Sequence, residues 1–291
     1  MSVLTASVLA AHRKGIGRHL ALTIRASLKI LIGGIIAAAF IIPLLWVLLA
    51  PFHVAATYAI QWPDPWTLEN FRRLFSNDTA MGSLLNSLLM SGTIALATAT
   101  LGALAAYAFS RVQMPGTGTI TYLILLVSSV GTGTAAMVPL FQVMKDLGLI
   151  NQQIGVVLVL TATTLPTAIF VLKDFMDGVP KSYEESARLL GARPGRILWD
   201  VVAPIARPGI AFIAVWALQQ AWSDFLVPYL LLRQTDKLPA AVMMYTFYTE
   251  GGQAELGMLT AFALLYSAPV VILYLVVSRR WGFRLGGGLK G

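Results

Sequence analysis

Long apolar runs separated by short polar stretches set the pattern of this chain. Residues 30–50, 79–110, 112–144, 147–172 and 256–278 contain no Asp, Glu, Lys or Arg, and residues 208–232 contain only Asp224. Each run meets or exceeds the ~20 residues that a helix needs to cross a ~30 Å hydrocarbon layer. In lipid, backbone amides must be bonded within their own segment or around a closed barrel. Barrel strands would alternate polar and apolar residues over ~10 positions, and these runs do not alternate. The pattern predicts an all-α, polytopic membrane protein with six transmembrane helices. The first run is too long for a signal-peptide core and no small-residue cleavage pattern clearly follows it, so we expect it to stay as a signal anchor.

Polar segments divide the chain into a basic N-terminal arm (residues 1–27), a six-helix membrane domain (28–279) and a C-terminal tail (280–291). Composition agrees: 57% of residues are hydrophobic and only 12% charged, which is too apolar for an ordinary soluble domain. Charge adds orientation. Of 21 Lys and Arg residues, five (Arg72, Arg73, Lys145, Arg233 and Lys237) fall on one expected side, and sixteen share the side of both termini. That bias places both termini in the cytoplasm of a multi-pass protein of the plasma or inner membrane. It accounts for most of the net charge of +8 without a nucleic-acid partner. Cysteine is absent, which excludes disulfides, thiol catalysis and thiolate metal sites. His12, His19 and His53 are scattered, without metal-ligand spacing. No G-x-S-x-G, catalytic carboxylate pair or phosphate-cradling G-x-x-x-x-G-K-S/T occurs. We expect no enzyme activity, cofactor or metal in this chain.

One loop on the terminal side breaks the apolar rhythm. Residues 183–210 read YEESARLLGARPGRILWDVVAPIARPGI and crowd charges, prolines and glycines together. Pro180 ends the preceding helix, and Ser182 with Glu185 fits a capping box that opens a new one. Arg188 lies three residues from Glu185 and is placed to pair with it. Ala187 and Gly191 form a small-residue face, and Gly191 is a helix stop because glycine tolerates the left-handed conformation. Pro194 suits the first turn of a second helix, and Pro204 is expected to end it. The 178–208 loop is thus two short helices joined at the sequence GARP. Two readings stand: an interfacial hairpin whose arginines meet anionic lipid headgroups, or a knob shaped for a cleft on a soluble partner.

The motif EESARLLGARPGRILWDVVAPIARPG resembles the coupling motif of ABC-importer permeases, in which E-A-A is followed by three residues, a Gly and a later L-P. Glu185, Ser186 and Ala187 fall on E-A-A, Gly191 on the glycine and Pro204 on the proline. Ser186 replaces an alanine, Leu190 stands where Asp is usual and Ala203 replaces leucine. TLENFRRLF, LLNSLLMS, AAYAFSRVQMPG, PLFQVMKDLGLINQQIGVVL, QQAWSDFLVPYLLL and the closing GGGLKG resemble the carbohydrate-importer branch, in the order of its maltose-permease G-type subunits. A proline that this branch often carries near Thr132 is missing. The resemblance spans roughly residues 28–291. It implies a heteromeric importer: a second, related permease, an extracytoplasmic solute-binding protein that delivers sugar, and a cytoplasmic ATPase dimer. The coupling loop would seat Glu184, Glu185, Ser186, Ala187, Gly191, Ala192 and Pro204 in an ATPase cleft.

Other candidates lie in the spans and on the far side. The stretches SGTIALATATLGALAA and SSVGTGTAAM are rich in small and hydroxyl residues, which serve close helix packing or a polar pathway that includes Asn86, Ser87, Ser128 and Thr132. Asp224, the one charge inside an expected span, falls ~24 Å along its helix at 1.5 Å per residue. It could border solute entry or face water at a helix end. Tyr248, Glu250, Gly251, Gly252 and Gln253 suit an exposed loop with interfacial tyrosines, and the resemblance implies contact there with the binding protein. An importer for another polar solute, such as a phosphorylated polyol, remains open. A self-sufficient secondary transporter would need more intramembrane charge than Asp224, and the absence of an internal repeat argues against inverted halves.

Overall fold

The computed structural model describes residues 27–112, 116–130, 136–247 and 255–281, and these contain helices and no strand. The N-terminal arm up to residue 26 and the tail from residue 282 lie outside the described residues. In chain order the helices are α1 (Ser27–Phe52), α2 (Glu69–Phe75), α3 (Asp78–Arg111), α4 (Thr117–Val130), α5 (Met137–Asp146) and α6 (Gln153–Asp177). Then follow α7 (Lys181–Leu189), α8 (Pro194–Ile205), α9 (Arg207–Ser223), α10 (Leu226–Leu231), α11 (Ala240–Thr246) and α12 (Leu256–Trp281). The all-α membrane architecture expected from the apolar runs is present.

Not every span is one unbroken helix. α1, α3, α6 and α12 are each long and apolar enough to cross a membrane, and α8 with α9 qualifies only as a pair bent by 83°. Within the run 112–144 the described helices are α4, of 14 residues, and α5, of 10. The run 208–232 is divided at Asp224, where α9 stops and α10 begins two residues later. An uncharged run reports that a segment suits lipid, and says nothing about where its helix breaks.

Small residues explain the centre of the bundle. Ser91, Ala95, Thr98, Gly102 and Ala106 recur every three or four positions on α3, and all are buried. That stripe faces α6. A Cβ on Gly102 would lie 3.2 Å from both the Ala168 Cβ and the Leu172 Cδ1, so the two backbones approach closely there. The hydroxyls of Thr98 and Thr164 are 2.9 Å apart across the seam. Close packing therefore accounts for the hydroxyl-rich stretch on α3. α9 lies against the same pair of helices: Gly209 sits so near Phe175 that an added Cβ would fall 2.4 Å from the ring.

At one end of the bundle, the last turn of α1, α2 and the start of α12 meet at Asn70. The Asn70 amide donates to the carbonyls of Pro51 (2.8 Å) and His53 (2.9 Å), and Gly257 makes room for it. The rest of α1 stands off the bundle with none of its apolar length buried.

Candidate functional site

The 178–208 loop lies where α3 and α6 end. α7 starts at Lys181, directly after Pro180, whose extended ψ of 129° turns the chain into the helix. The expected capping box is not formed, because Ser182 is already inside the first turn and no side chain caps it. Ser182 instead offers its carbonyl to the Ser186 hydroxyl at 2.8 Å. Gly191 does stop the helix. Its φ is +81°, its N–H donates to the Arg188 carbonyl (2.9 Å), and the Ala192 N–H donates to the Ala187 carbonyl (3.0 Å). This pair of bonds is the left-handed glycine cap that satisfies the last carbonyls of a helix.

Pro204 does not end the second helix. α8 runs from Pro194 to Ile205, with a widened turn over Leu198–Val202 just before the proline. Such π turns absorb a residue that cannot donate to the regular ladder. The direction changes two residues later, at Ala206, and α9 begins with Arg207 and Pro208. Ile197, Leu198 and Val202 are buried against Leu172, Met176 and Ile213.

The polar side of the loop differs from expectation in two respects. Glu184, rather than Glu185, makes the ion pairs. Its carboxylate lies 2.5 Å from the Arg111 Nε and 4.0 Å from Arg188, with its side chain 3% exposed. The Tyr107 hydroxyl donates to it at 3.1 Å. The Arg111 guanidinium also donates to the Val179 carbonyl (3.0 Å) and the Ser110 hydroxyl (2.8 Å). Ser110 in turn donates to Asp177, which pairs with Lys173 at 2.6 Å. Second, Ala187 and Gly191 do not form one outward small-residue face. Ala187 is half-buried against the apolar cluster, and the outward tip beside Gly191 carries Leu189 and Leu190, each 89% exposed. Glu185, Ser186, Gly191 and Pro204 are exposed, while Ala192 is half-buried.

A cavity of about 810 Å³ opens between α4, α5, α6, α9 and α10. Its polar wall includes Thr163, Thr167, Gln220 and Asp224, and Tyr122 and Trp216 add aromatic faces. No Lys, Arg or His is among its described lining residues. Asp224 is half-buried at the break between α9 and α10 rather than within a continuous helix. One of its oxygens accepts from the Val227 N–H at 3.0 Å and caps α10; the residue therefore both shapes the cavity and lines it.

Asn86 and Ser87 are not brought to this cavity. The Asn86 amide donates to the carbonyls of Asp236 (2.8 Å) and Leu238 (3.1 Å). The Ser87 hydroxyl accepts from the Ala240 N–H at 2.7 Å. Both residues fasten the 233–240 loop to the start of α3. Ser128 belongs to α4, but its side chain, and the whole of Thr132, lie outside the described residues. So do Tyr248, Glu250, Gly251, Gly252 and Gln253. Phe247 and Glu255, which flank that segment, line a second cleft of about 590 Å³ with Arg73 and Asn77.

Sequence reasoning missed Arg111, Tyr107 and the role of Glu184. Arg111 closes an uncharged run, and a cation in that place reads as a topology signal. Its partner is 73 residues away. It also missed Asn151, which has a φ of 62° and whose side-chain oxygen accepts from the N–H groups of Arg233 and Gln234, both at 3.1 Å. The hairpin LGLINQQ carries the one usable signal, an Asn where a left-handed residue is needed.

A family model described as "Binding-protein-dependent transport system inner membrane component" matches residues 15–281. The diacetylchitobiose uptake system permease protein NgcG of Streptomyces coelicolor is 30% identical over 246 residues, covering 82% of this chain and 80% of the relative. The trehalose transport system permease protein SugB of Mycobacterium tuberculosis is 30% identical and covers 79% and 84%. The maltodextrin transport system permease protein MdxG of Bacillus subtilis is 26% identical and covers 88% and 93%. Among solved structures, a bacterial ABC transporter involved in import of the acidic polysaccharide alginate matches with a TM-score of 0.76 at 21% identity, covering 89% of this chain and 96% of that one. The alginate transporter in complex with an alginate pentasaccharide-bound periplasmic protein matches with a TM-score of 0.61 at 17% identity, over 87% and 93%.

Proposed function

The chain belongs to the family of binding-protein-dependent transport system inner membrane components, and on that premise we propose that it is one permease subunit of an ATP-driven importer of neutral sugars. It forms half of a translocation pathway with a second, related permease. A solute-binding protein delivers sugar at the end of the bundle that carries the 233–255 loop. An ATPase dimer docks at the other end, on residues 182–204, and both termini lie on that cytoplasmic side. ATP hydrolysis belongs to those partner chains. The arm 1–27 and the tail 280–291 flank a membrane domain that spans residues 28–279.

The observation that carries this reading is the capped, anchored knob at the ends of α3 and α6. A lipid-surface hairpin needs basic residues near headgroups, but it does not need a buried Glu184 held by Arg111 and Tyr107. Coupling needs a surface whose contacts differ between two states of a partner. The exposed Glu185, Ser186, Leu189, Leu190 and Gly191, presented on a fixed base, supply such a surface. The named solutes of the sugar-permease relatives support the cargo class.

The cavity supports a neutral cargo. Thr163, Thr167 and Gln220 can exchange hydrogen bonds with hydroxyls, Tyr122 and Trp216 offer flat faces to a sugar ring, and the only charge among the described lining residues is the Asp224 carboxylate. A phosphorylated polyol would meet that negative charge with no cation from this chain, since the six apolar runs contain neither Lys nor Arg. The test is purification of the chain with the proteins that accompany it, followed by solute-stimulated ATPase activity in proteoliposomes. Neutral di- and oligosaccharides are expected to stimulate hydrolysis and accumulate inside, and sn-glycerol 3-phosphate is not. Stimulation by the phosphate ester alone would overturn the neutral-sugar assignment; isolation without an ATPase would overturn the importer.

A further inference from the structure

The knob has little to hold it apart from one ion pair. α7 has nine residues, and of its side chains only Glu184 is fully buried and only Ala187 packs on the apolar cluster. Apolar contact is non-directional, so an alanine on a greasy surface leaves the helix free to roll. Arg111 and Glu184 remove that freedom. The guanidinium spends its three nitrogens on three elements: Nε on Glu184 of α7, one terminal nitrogen on Val179 between α6 and α7, the other on Ser110 of α3. The second Glu184 oxygen is held by Tyr107 of α3. Arg111 is 9% exposed, so water does not compete for these bonds.

We propose that the Arg111–Glu184 pair is a positioning device that makes the α7 knob one rigid body with α3 and α6. The proposal rests on the reading of residues 182–204 as the ATPase-coupling loop. Its consequence lies along α6. Ten residues before Asp177 on the same helix is Thr167, in the cavity wall, about 15 Å away at 1.5 Å per residue. Displacement of the knob is delivered to that wall through α6 without slack. On the other side the chain passes through the 83° bend into α9, so the two cavity walls receive the motion differently. A buried pair of this kind adds little net stability compared with apolar replacement, yet removing one partner leaves an uncompensated charge. Its retention is explained by geometry. Lysine in place of Arg111 would keep the charge and lose the fork that reaches Val179 and Ser110 together.

The test uses the complete importer in proteoliposomes, loaded with the neutral sugar that stimulates its ATPase. Three variants are compared: Glu184→Gln, Arg111→Lys, and Gly191→Asp at the exposed tip. The quantities are ATPase retained on the membrane and sugar accumulated per ATP hydrolysed. For Glu184→Gln we expect the ATPase to stay bound while sugar per ATP falls about tenfold, within the range seen for substitutions along coupling networks. Arg111→Lys should fall less. Gly191→Asp, which puts bulk and charge at the docking tip, should release the ATPase. If Gly191→Asp releases the ATPase but Glu184→Gln and Arg111→Lys keep the wild-type ratio, the positioning role is wrong and the coupling loop stands. If uptake and hydrolysis fall together with an unchanged ratio, the pair is only structural. If Gly191→Asp keeps both ATPase and uptake, the coupling reading itself fails.

Discussion

The two ends of α3 solve the same problem with different chemistry. Each end must hold a loop that comes from a distant part of the chain. Near its start, Asn86 and Ser87 hold the 233–240 loop through neutral hydrogen bonds to Asp236, Leu238 and Ala240. Asn151, Gln153 and Lys237 add bonds of the same side-chain-to-backbone kind. At its far end, ~37 Å from Asn86 at 1.5 Å per residue, Arg111 holds the 178–208 loop through a buried ion pair. A neutral bond to a backbone carbonyl fixes a place, and several such bonds share the load. A buried charge pair fixes a place and an orientation, and it cannot be half-lost. Under the proposed coupling role, the difference suits one end that transmits motion and another that stays put.

Labelling would sharpen this comparison most, since its outcome is all-or-none. In the cysteine-free background, a membrane-impermeant thiol reagent should label Gln234→Cys from outside intact cells and leave Arg193→Cys untouched until the membrane is opened. Labelling of Arg193→Cys in intact cells would invert the assignment of the two ends. The next largest effect should come from the charged joint. Glu184→Ala leaves Arg111 buried without its partner and should cost ~3–5 kcal/mol, read as a large drop in the detergent-solubilised unfolding midpoint and in membrane abundance.

The neutral joint should break more gently. Ser87→Ala removes the acceptor for the buried Ala240 N–H and should cost ~1–3 kcal/mol, with bonds from Asn86 keeping the loop in register. An equal loss at Ser87 and Glu184 would erase the contrast between the ends. The smallest effect is expected at the rim. Arg73 and Glu255 pair at 3.1 Å with both side chains about half exposed, so Arg73→Ala should change stability by ~0–1 kcal/mol and less still in high salt. A loss comparable to that of Glu184→Ala would mean that this pair is covered in the assembled protein.

How much of this was legible beforehand depends on the reach of each interaction. Hydrophobic runs, the glycine stop at Gly191 and the proline start at Pro194 are local: the residues that decide them are within a few positions of one another. They were read correctly. The small-residue stripe on α3 was legible as a stripe, but its partner helix was not. Ser182 looked like a cap because its spacing to Glu185 is right, yet Pro180 already sets the entry to α7 and no cap is formed. Glu185 looked like the pairing carboxylate because Arg188 is three residues on. Its neighbour Glu184 faces inward, and a cation 73 residues earlier in the chain decides the matter.

By itself, then, the sequence determined that this chain lives in a membrane, that its segments are helical, and where one polar loop interrupts them. Desolvation of the backbone dictates those features with no knowledge of neighbours. Only the tertiary structure decided which of two adjacent glutamates is buried and that the leucines rather than Ala187 crown the knob. It also decided that Asn86 ties down a loop and that Asp224 caps a helix break at the edge of a cavity. Each of these depends on which helix faces which, and a direction in space is not written in the spacing of residues along one strand of chain.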